Sequence, residues 1–392
     1  MCKNFIIKDL RVIIFLLPFV MLSCGRNESL PVIDITCDNE IPWDSKIPCQ
    51  FNYITDNENV ICDAEVKCRG GYSSRYNKHS FALKLQKPLD LCGLPASDRW
   101  VLNANYVDKT FMRHKLCYDL FRQMGAHNVA ARCAYARVSL NTKPNGLYVV
   151  MQKLDENTLE IDRNDTMAVI FKDPPLFNVV QPENGPEENN YYGQKWPKKK
   201  KDDRTWQIEA FRDFLVNASD DEFAANLGSW IDIKNVIDWH LLLLLSEGGD
   251  GFLKNFYLYK TDSKTPYRIA VWDCDHSFGR EGDGEKNWFE RGVEWERSIL
   301  FNRLMKTDFY RNALKNRWKE LRDNGIFTVG NIYGMIDEND RQVKLGTAEN
   351  FSIWPYDSPD YYDAATYEEE VALLKEFVSA NLERLDLYFL NL

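Results

Sequence analysis

The stretch Ile269-Ala270-Val271-Trp272-Asp273-Cys274-Asp275-His276-Ser277-Phe278-Gly279 decides how this chain is read. An apolar run of strand length delivers two carboxylates one residue apart and then a Phe-Gly pair. Side chains alternate along a strand, so Asp273 and Asp275 share a side if the strand continues through them. Two hard oxygen ligands this close suit Mg2+ or Mn2+ better than zinc. Paired carboxylates can also serve a glycosidase as acid and nucleophile, so the segment needs its context.

That context lies 18 residues upstream, in Glu247-Gly248-Gly249-Asp250-Gly251-Phe252-Leu253-Lys254-Asn255. It follows an apolar helical run through Leu241–Leu245, for which Asp232 is the expected N-cap. An Asp and an Asn separated by four residues can place a carboxylate at an attacking hydroxyl and an amide oxygen on a metal, the division of labour of a phosphotransferase catalytic loop. Near the N-terminus, Arg69-Gly70-Gly71-Tyr72-Ser73-Ser74-Arg75 offers glycines and serines that let backbone N–H groups approach an anion between two arginines. Next, Ser80-Phe-Ala-Leu-Lys-Leu85 alternates strictly and carries Lys84 beside Ala82, with Lys78 as a competing cation for phosphate.

Around these segments the chain divides. Its first 23 residues read as a signal: Lys3, Lys8 and Arg11 precede an apolar run, Val12–Leu22, too short to span a bilayer. Ser23-Cys24-Gly25 then resembles a bacterial lipobox, with Cys24 the lipidated residue and 24–30 a tether. Acyl chains on Cys24 would be the attachment to a membrane, in the bacterial cell envelope and by expectation at the outer membrane. Residues 31–170 read as a β-rich lobe with one helix, expected from a Thr110 cap to Met124, and a hairpin over Arg137–Val150 turned by Lys143-Pro-Asn-Gly146. Residues 171–205 read as a variable loop with a four-lysine run, Lys198–Lys201. Residues 206–392 read as a helical lobe, closed by a helix from about Glu368 to Leu390.

The 392 residues carry a net charge of −10, which argues against nucleic acid as a partner. The signal holds three cations and Asp9, so its removal makes the remainder more acidic still. Ten cysteines are present; beyond Cys2 and Cys24 they are 37, 49, 62, 68, 92, 117, 133 and 274. Export permits disulfides, but the apolar surroundings of Cys117 and Cys133 favour free buried thiols, and the absence of a Cys-x-x-Cys spacing makes a structural zinc site a poor expectation.

Taken in order, these segments resemble the CotH kinase family. The resemblance rests on Arg69–Arg75 with Lys78–Leu85, on Asn105-Tyr-Val-Asp-Lys-Thr-Phe-Met-Arg113, on Asn145-Gly-Leu-Tyr-Val-Val-Met-Gln-Lys-Leu-Asp155, on Asp250-Gly-Phe with Asn255-Phe-Tyr-Leu-Tyr259, and on Val271–Gly279. It extends over roughly 31–390. It implies an α+β fold of atypical protein-kinase type: two lobes, β-rich then helical, with ATP between them. It implies transfer of the ATP γ-phosphate to protein Ser or Thr with Mg2+ or Mn2+. Asp250 matches the catalytic Asp and Asp273 the metal-binding Asp; Asn255 and Asp275 are further metal-side candidates. Arg69, Gly70, Ser73, Ser74, Arg75, Lys78 and Lys84 are the expected nucleotide contacts. Gln152, also placed at the nucleotide, stands where the family usually has Glu, and Gly71 where it has Asn; Gln152 would hold the phosphate-binding lysine without an ion pair. Two other readings compete: a non-catalytic surface lipoprotein binding carbohydrate or protein, and a metal-dependent hydrolase.

Overall fold

The computed structural model describes residues 29–183, 190–280, 294–358, 361 and 363–392. Cys24 and the signal segment lie outside them. Seven strands close into a barrel: β1 (Val32–Thr36), β2 (Ile47–Ile54), β3 (Asn59–Arg69), β4 (Ser80–Leu89), β5 (Ser97–Asn103), β8 (Lys143–Gln152) and β7 (Cys133–Leu140), in that spatial order. Neighbours are antiparallel except at the closure, where β1 runs parallel to β7. Alternation fills the interior with Ile33, Ile35, Phe51, Tyr53, Val66, Phe81, Leu83, Trp100, Leu102, Val138 and Val150. On β5, β7 and β8 the outward residues are buried too. Val101, Tyr135, Leu147, Val149 and Met151 join the larger core, which is why β8 reads as an unbroken apolar run.

The β7–β8 hairpin turns one step earlier than its Pro-Asn-Gly suggests. Asn141 and Thr142 both take left-handed backbone, at φ 50° and 66°, the two-residue turn that matches strand twist. Pro144–Gly146 instead form a bulge, where the register slips between Val138 and Ser139. Gly146, at φ 92°, is required there, since a Cβ would sit 2.6 Å from Asn350 Oδ1.

The rest is helical around a second, five-stranded sheet of order β10 (Gln194–Trp196), β9 (Val169–Lys172), β11 (Phe256–Lys260), β12 (Arg268–Val271), β6 (Val129–Ala130). Segment 171–205 therefore carries a strand rather than loop alone. Helix α1 (Arg113–Met124) packs on α4 (Ile233–Ser246), whose side chains from Asn235 onward are all buried. The expected Asp232 cap is present, accepting from the Lys234 and Asn235 amides. Thr110 does not cap α1; the helix begins three residues later, and Asp108 accepts the Thr110 and Arg113 amides. Helices α2 (Thr205–Asn217), α3 (Asp220–Trp230), α5 (Ile299–Leu304) and α6 (Asp308–Asp323) complete the core. Helix α7 (Val329–Ile353) covers β8, and α8 (Tyr367–Asn391) opens with a capping box from Thr366 and Glu369. The fold is thus mixed α and β, a β-rich N-terminal region and a helical C-terminal one. All eight described cysteines are thiols, with 49, 68, 117 and 133 buried. Among the described residues no helix is long and apolar enough to cross a membrane.

Candidate active site

Helix α4 ends at Glu247, which takes left-handed backbone (φ 53°) and binds Arg384 through its carboxylate. A single 3-10 turn, Gly249–Phe252, follows and carries Asp250. The turn is seated tightly. A Cβ on Gly251 would lie 2.3 Å from Leu243 Cδ2, and Phe252 is buried between His240 and Phe301. Lys254 reaches back to Asp250 Oδ2 at 3.0 Å.

Asn255 and Asp273 are 18 residues apart yet adjacent, because β11 and β12 pair from Phe256 with Val271. One step beyond that pair the Trp272 amide donates to Asn255 O at 3.0 Å, and Asn255 Nδ2 donates to Asp273 O at 3.1 Å. Asp173, at the end of β9, accepts the Asn255 and Phe256 amides through Oδ1. Asp173, Asn255, Asp273 and Phe278 all hold positive φ, between 47° and 64°. Non-glycine residues in that region cost free energy and cluster where a site dictates backbone placement. The loop after Asp273 is tied back to α4 and α1: the Phe278 amide donates to Ser246 O and Arg113 Nε to Ser277 O.

These elements face the open end of the barrel across a cleft of about 840 Å³. Asp250, Asn255, Asp273 and Asp275 line it together with Arg69, Gly70 and Ser73 from the turn after β3. Arg69 also stands over the Trp272 ring at 5.7 Å, joining the barrel to the strand that carries Asp273. At Gly70, φ 135°, a Cβ would lie 2.2 Å from Ser73 Oγ, so the turn folds only around glycine.

Four expected nucleotide contacts, Lys84, Gln152, Ser74 and Arg75, are not among the residues that line the cleft. Lys84 is exposed on the outer barrel face, in register between Glu65 and Arg99. Gln152 lies at the end of β8, its Oε1 on the Arg132 amide. The Ser74 hydroxyl donates to Gly71 O, and the Arg75 guanidinium lies over Tyr72. Lys78 borders the cleft, but its ammonium is buried and its three hydrogens go to Ala104 O (3.0 Å), Leu147 O (2.5 Å) and Asn350 Oδ1 (2.9 Å). Burial pushes its pKa well down. Lys78 holds α7 to the barrel, and among the described residues Gln152 holds no lysine. Sequence reasoning missed the cations that do line the cleft, Lys172, Lys195 and Lys254, and also His114. Lys172 ends the four-residue β9, Lys195 lies in the three-residue β10 and Lys254 follows a 3-10 turn, so no periodic run is long enough to mark them, and His114 is far in sequence from its partner.

His114 Nε2 faces Asp273 Oδ1 at 3.5 Å, and His114, Asp273 and Asp275 can bring ligand atoms within 4.8 Å of one another. The Asp273 side chain is 51% exposed, into the cleft. Burial opposes its ionisation, but His114, Lys172 and Arg69 outweigh this and hold its carboxyl well below the usual range. Asp275 is pushed up by burial and by the charge of Asp273. A pair of close carboxylates, one of them reluctant to ionise, is the donor set a hard divalent cation would relieve.

The sequence matches the family model described as CotH kinase protein over residues 66–385. It is 23% identical over 287 residues to the inner spore coat protein H of Bacillus subtilis (strain 168), an alignment spanning 68% of this chain and 73% of that protein. Among solved structures, that of the Helicobacter pylori proinflammatory kinase CtkA aligns with 82% of this chain and 98% of its own, at 10% identity and a TM-score of 0.25, which establishes no common fold.

Proposed function

Because the chain belongs to the CotH kinase protein family, we propose that it transfers the γ-phosphate of ATP to a protein Ser or Thr hydroxyl with a divalent metal, in the cleft between barrel and helices. One observation carries this reading. Asp250, Asp273 and Asp275 stand in one cleft with Arg69, Lys172, Lys195 and Lys254. Carboxylates alone would suit a metal; carboxylates ringed by four cations suit a metal and a polyphosphate together.

Asp250 orients the incoming hydroxyl and accepts its proton as the new P–O bond forms and the bond from the γ-phosphorus to the β,γ-bridging oxygen breaks, releasing ADP. Lys254, beside Asp250, is placed to meet a phosphate oxygen. Arg69 and the Gly70–Ser73 turn hold phosphate oxygens from the barrel side, and Lys172 and Lys195 from the second sheet. Asp273, with Asp275 and the Oδ1 of Asn255, would hold Mg2+ or Mn2+. Such an ion would offset the phosphate charge during transfer. Anchoring by acyl chains on Cys24 belongs to the same proposal, with the protein in the bacterial envelope. Incubation with γ-labelled ATP, Mn2+ and a generic protein acceptor tests the activity: label should appear with wild type and vanish in Asp250→Ala and Asp273→Ala. Equal labelling by either variant would end the assignment. Loss of fatty-acid labelling in Cys24→Ser tests the anchor.

A further inference from the structure

His114 sits where it could be either a third metal ligand or a donor that fixes Asp273, and the two roles need opposite tautomers. A ligand must present a bare Nε2; a donor must carry hydrogen there. The surrounding hydrogen bonds decide between them. Asp108 accepts from Arg113 Nη1 at 2.6 Å and from the Thr110 hydroxyl at 2.6 Å, and as a carboxylate paired to a guanidinium it only accepts. Asn105 must therefore turn its NH2 toward Asp108 Oδ2, at 3.3 Å. The same NH2 faces His114 Nδ1 at 3.4 Å, which makes Nδ1 an acceptor.

The opposite end of the chain of contacts fixes the same direction. Arg69, which only donates, gives Nη1–H to Asn103 Oδ1 at 3.3 Å; the Ser80 hydroxyl donates to the same oxygen. Asn103 must then offer its Nδ2 to Asn105 Oδ1, at 2.5 Å, and this again turns the Asn105 NH2 toward His114. With Nδ1 accepting, the ring hydrogen of neutral His114 is on Nε2, 3.5 Å from Asp273 Oδ1. Asn105 and His114 are 3% and 2% exposed, so water does not compete for these groups.

We propose that His114 is a positioning residue for Asp273, donating Nε2–H to its Oδ1, and not a metal ligand. A relay, Arg69–Asn103–Asn105–His114, whose last step to Asp273 is the 3.5 Å contact, then runs from the turn of the barrel to the metal-holding carboxylate. It aims the free lone pairs of Asp273 and leaves an all-oxygen donor set that favours Mg2+ or Mn2+ over zinc. The inference rests on reading Asp273 as a metal-holding residue.

Two readouts on the purified full-length chain test it. A two-bond 1H–15N spectrum of the imidazoles, recorded at alkaline pH where the ring is neutral and assigned by the signal lost in His114→Gln, should show His114 with hydrogen on Nε2 and none on Nδ1. Mn2+ titration followed by electron paramagnetic resonance, without nucleotide, should show His114→Ala weakening binding roughly 10–100-fold, while His114→Gln, which keeps a donor, retains most of it. Hydrogen on Nδ1 with a bare Nε2 would overturn the proposal. So would unchanged Mn2+ affinity in His114→Ala, or a His114→Gln as weak as the alanine variant. If His114→Ala does not fold, the wild-type spectrum and the Gln variant still decide. A wild-type chain that binds no Mn2+ would refute the metal reading of Asp273 separately, with the spectrum still deciding the donor.

Discussion

Replacing Lys78 with Met separates two accounts of this lysine sharply. If its ammonium met phosphate, the variant would bind nucleotide poorly and keep its stability. The structure predicts the reverse emphasis. The three hydrogens of Lys78 satisfy Ala104 O, Leu147 O and Asn350 Oδ1, all in a 2%-exposed environment over the Phe111 and Tyr148 rings. Met matches the length and volume, so little cavity forms, but three buried acceptors lose their donor. A buried polar group left unpaired costs about 1–3 kcal/mol, which sums to roughly 3–9 kcal/mol for three. Asn350 Oδ1 keeps the Leu147 amide at 3.1 Å, and the variant no longer dehydrates an ammonium. With Asn350 still paired, the two backbone acceptors account for roughly 2–6 kcal/mol, and relief of the buried ammonium lowers the net loss to about 2–4 kcal/mol. Urea unfolding followed by tryptophan fluorescence measures it, with Lys84→Ala as a surface control expected within about 0.5 kcal/mol of wild type. A Lys78→Met protein as stable as wild type but deficient in nucleotide binding would refute this assignment.

The turn that bears Asp250 should be as intolerant. Gly251→Ala places a methyl 2.3 Å from Leu243 Cδ2, so the turn must lift or Leu243 must repack; a stability loss of about 1–3 kcal/mol is expected in thermal unfolding, together with loss of transfer activity. Acid unfolding should report Asp238. Burial opposes its ionisation, but His127, Arg317 and Asn128 outweigh it and hold its pKa below the ordinary value. Its stabilisation is present above the unfolded pKa and lost as pH falls through the folded one, so Asp238→Asn should be less stable at neutral pH and flatten the acid limb of the stability curve.

How far the sequence reveals this site can be followed residue by residue. Asp250, Asn255, Asp273 and Asp275 were accessible because hairpin and turn geometry keep them near in sequence, and the cleft gathers all four. The α4 cap and the final helix follow from local rules that tertiary context did not override. Lys78 and Lys84 were misplaced because alternation shows which face a side chain takes, not which face the barrel turns outward or what an ammonium finds when buried. The hairpin turns at Asn141-Thr142, where Asn takes left-handed backbone readily and β-branched Thr takes it at a cost, while the conspicuous Pro-Asn-Gly forms a bulge over Asn350. His114 was beyond reach: its role depends on a relay through Asn103 and Asn105 on the barrel side and on Asp273 across the cleft, and no spacing encodes such a contact.

The central claim, that one cleft holds metal and nucleotide together, is tested most directly by calorimetric titration of ATP in the presence and absence of Mg2+. Wild type and Lys84→Ala should bind alike and only with the metal, and Asp273→Ala should bind at least tenfold more weakly, about 1.4 kcal/mol. Metal-independent binding, or an Asp273→Ala chain with wild-type affinity, would contradict the account.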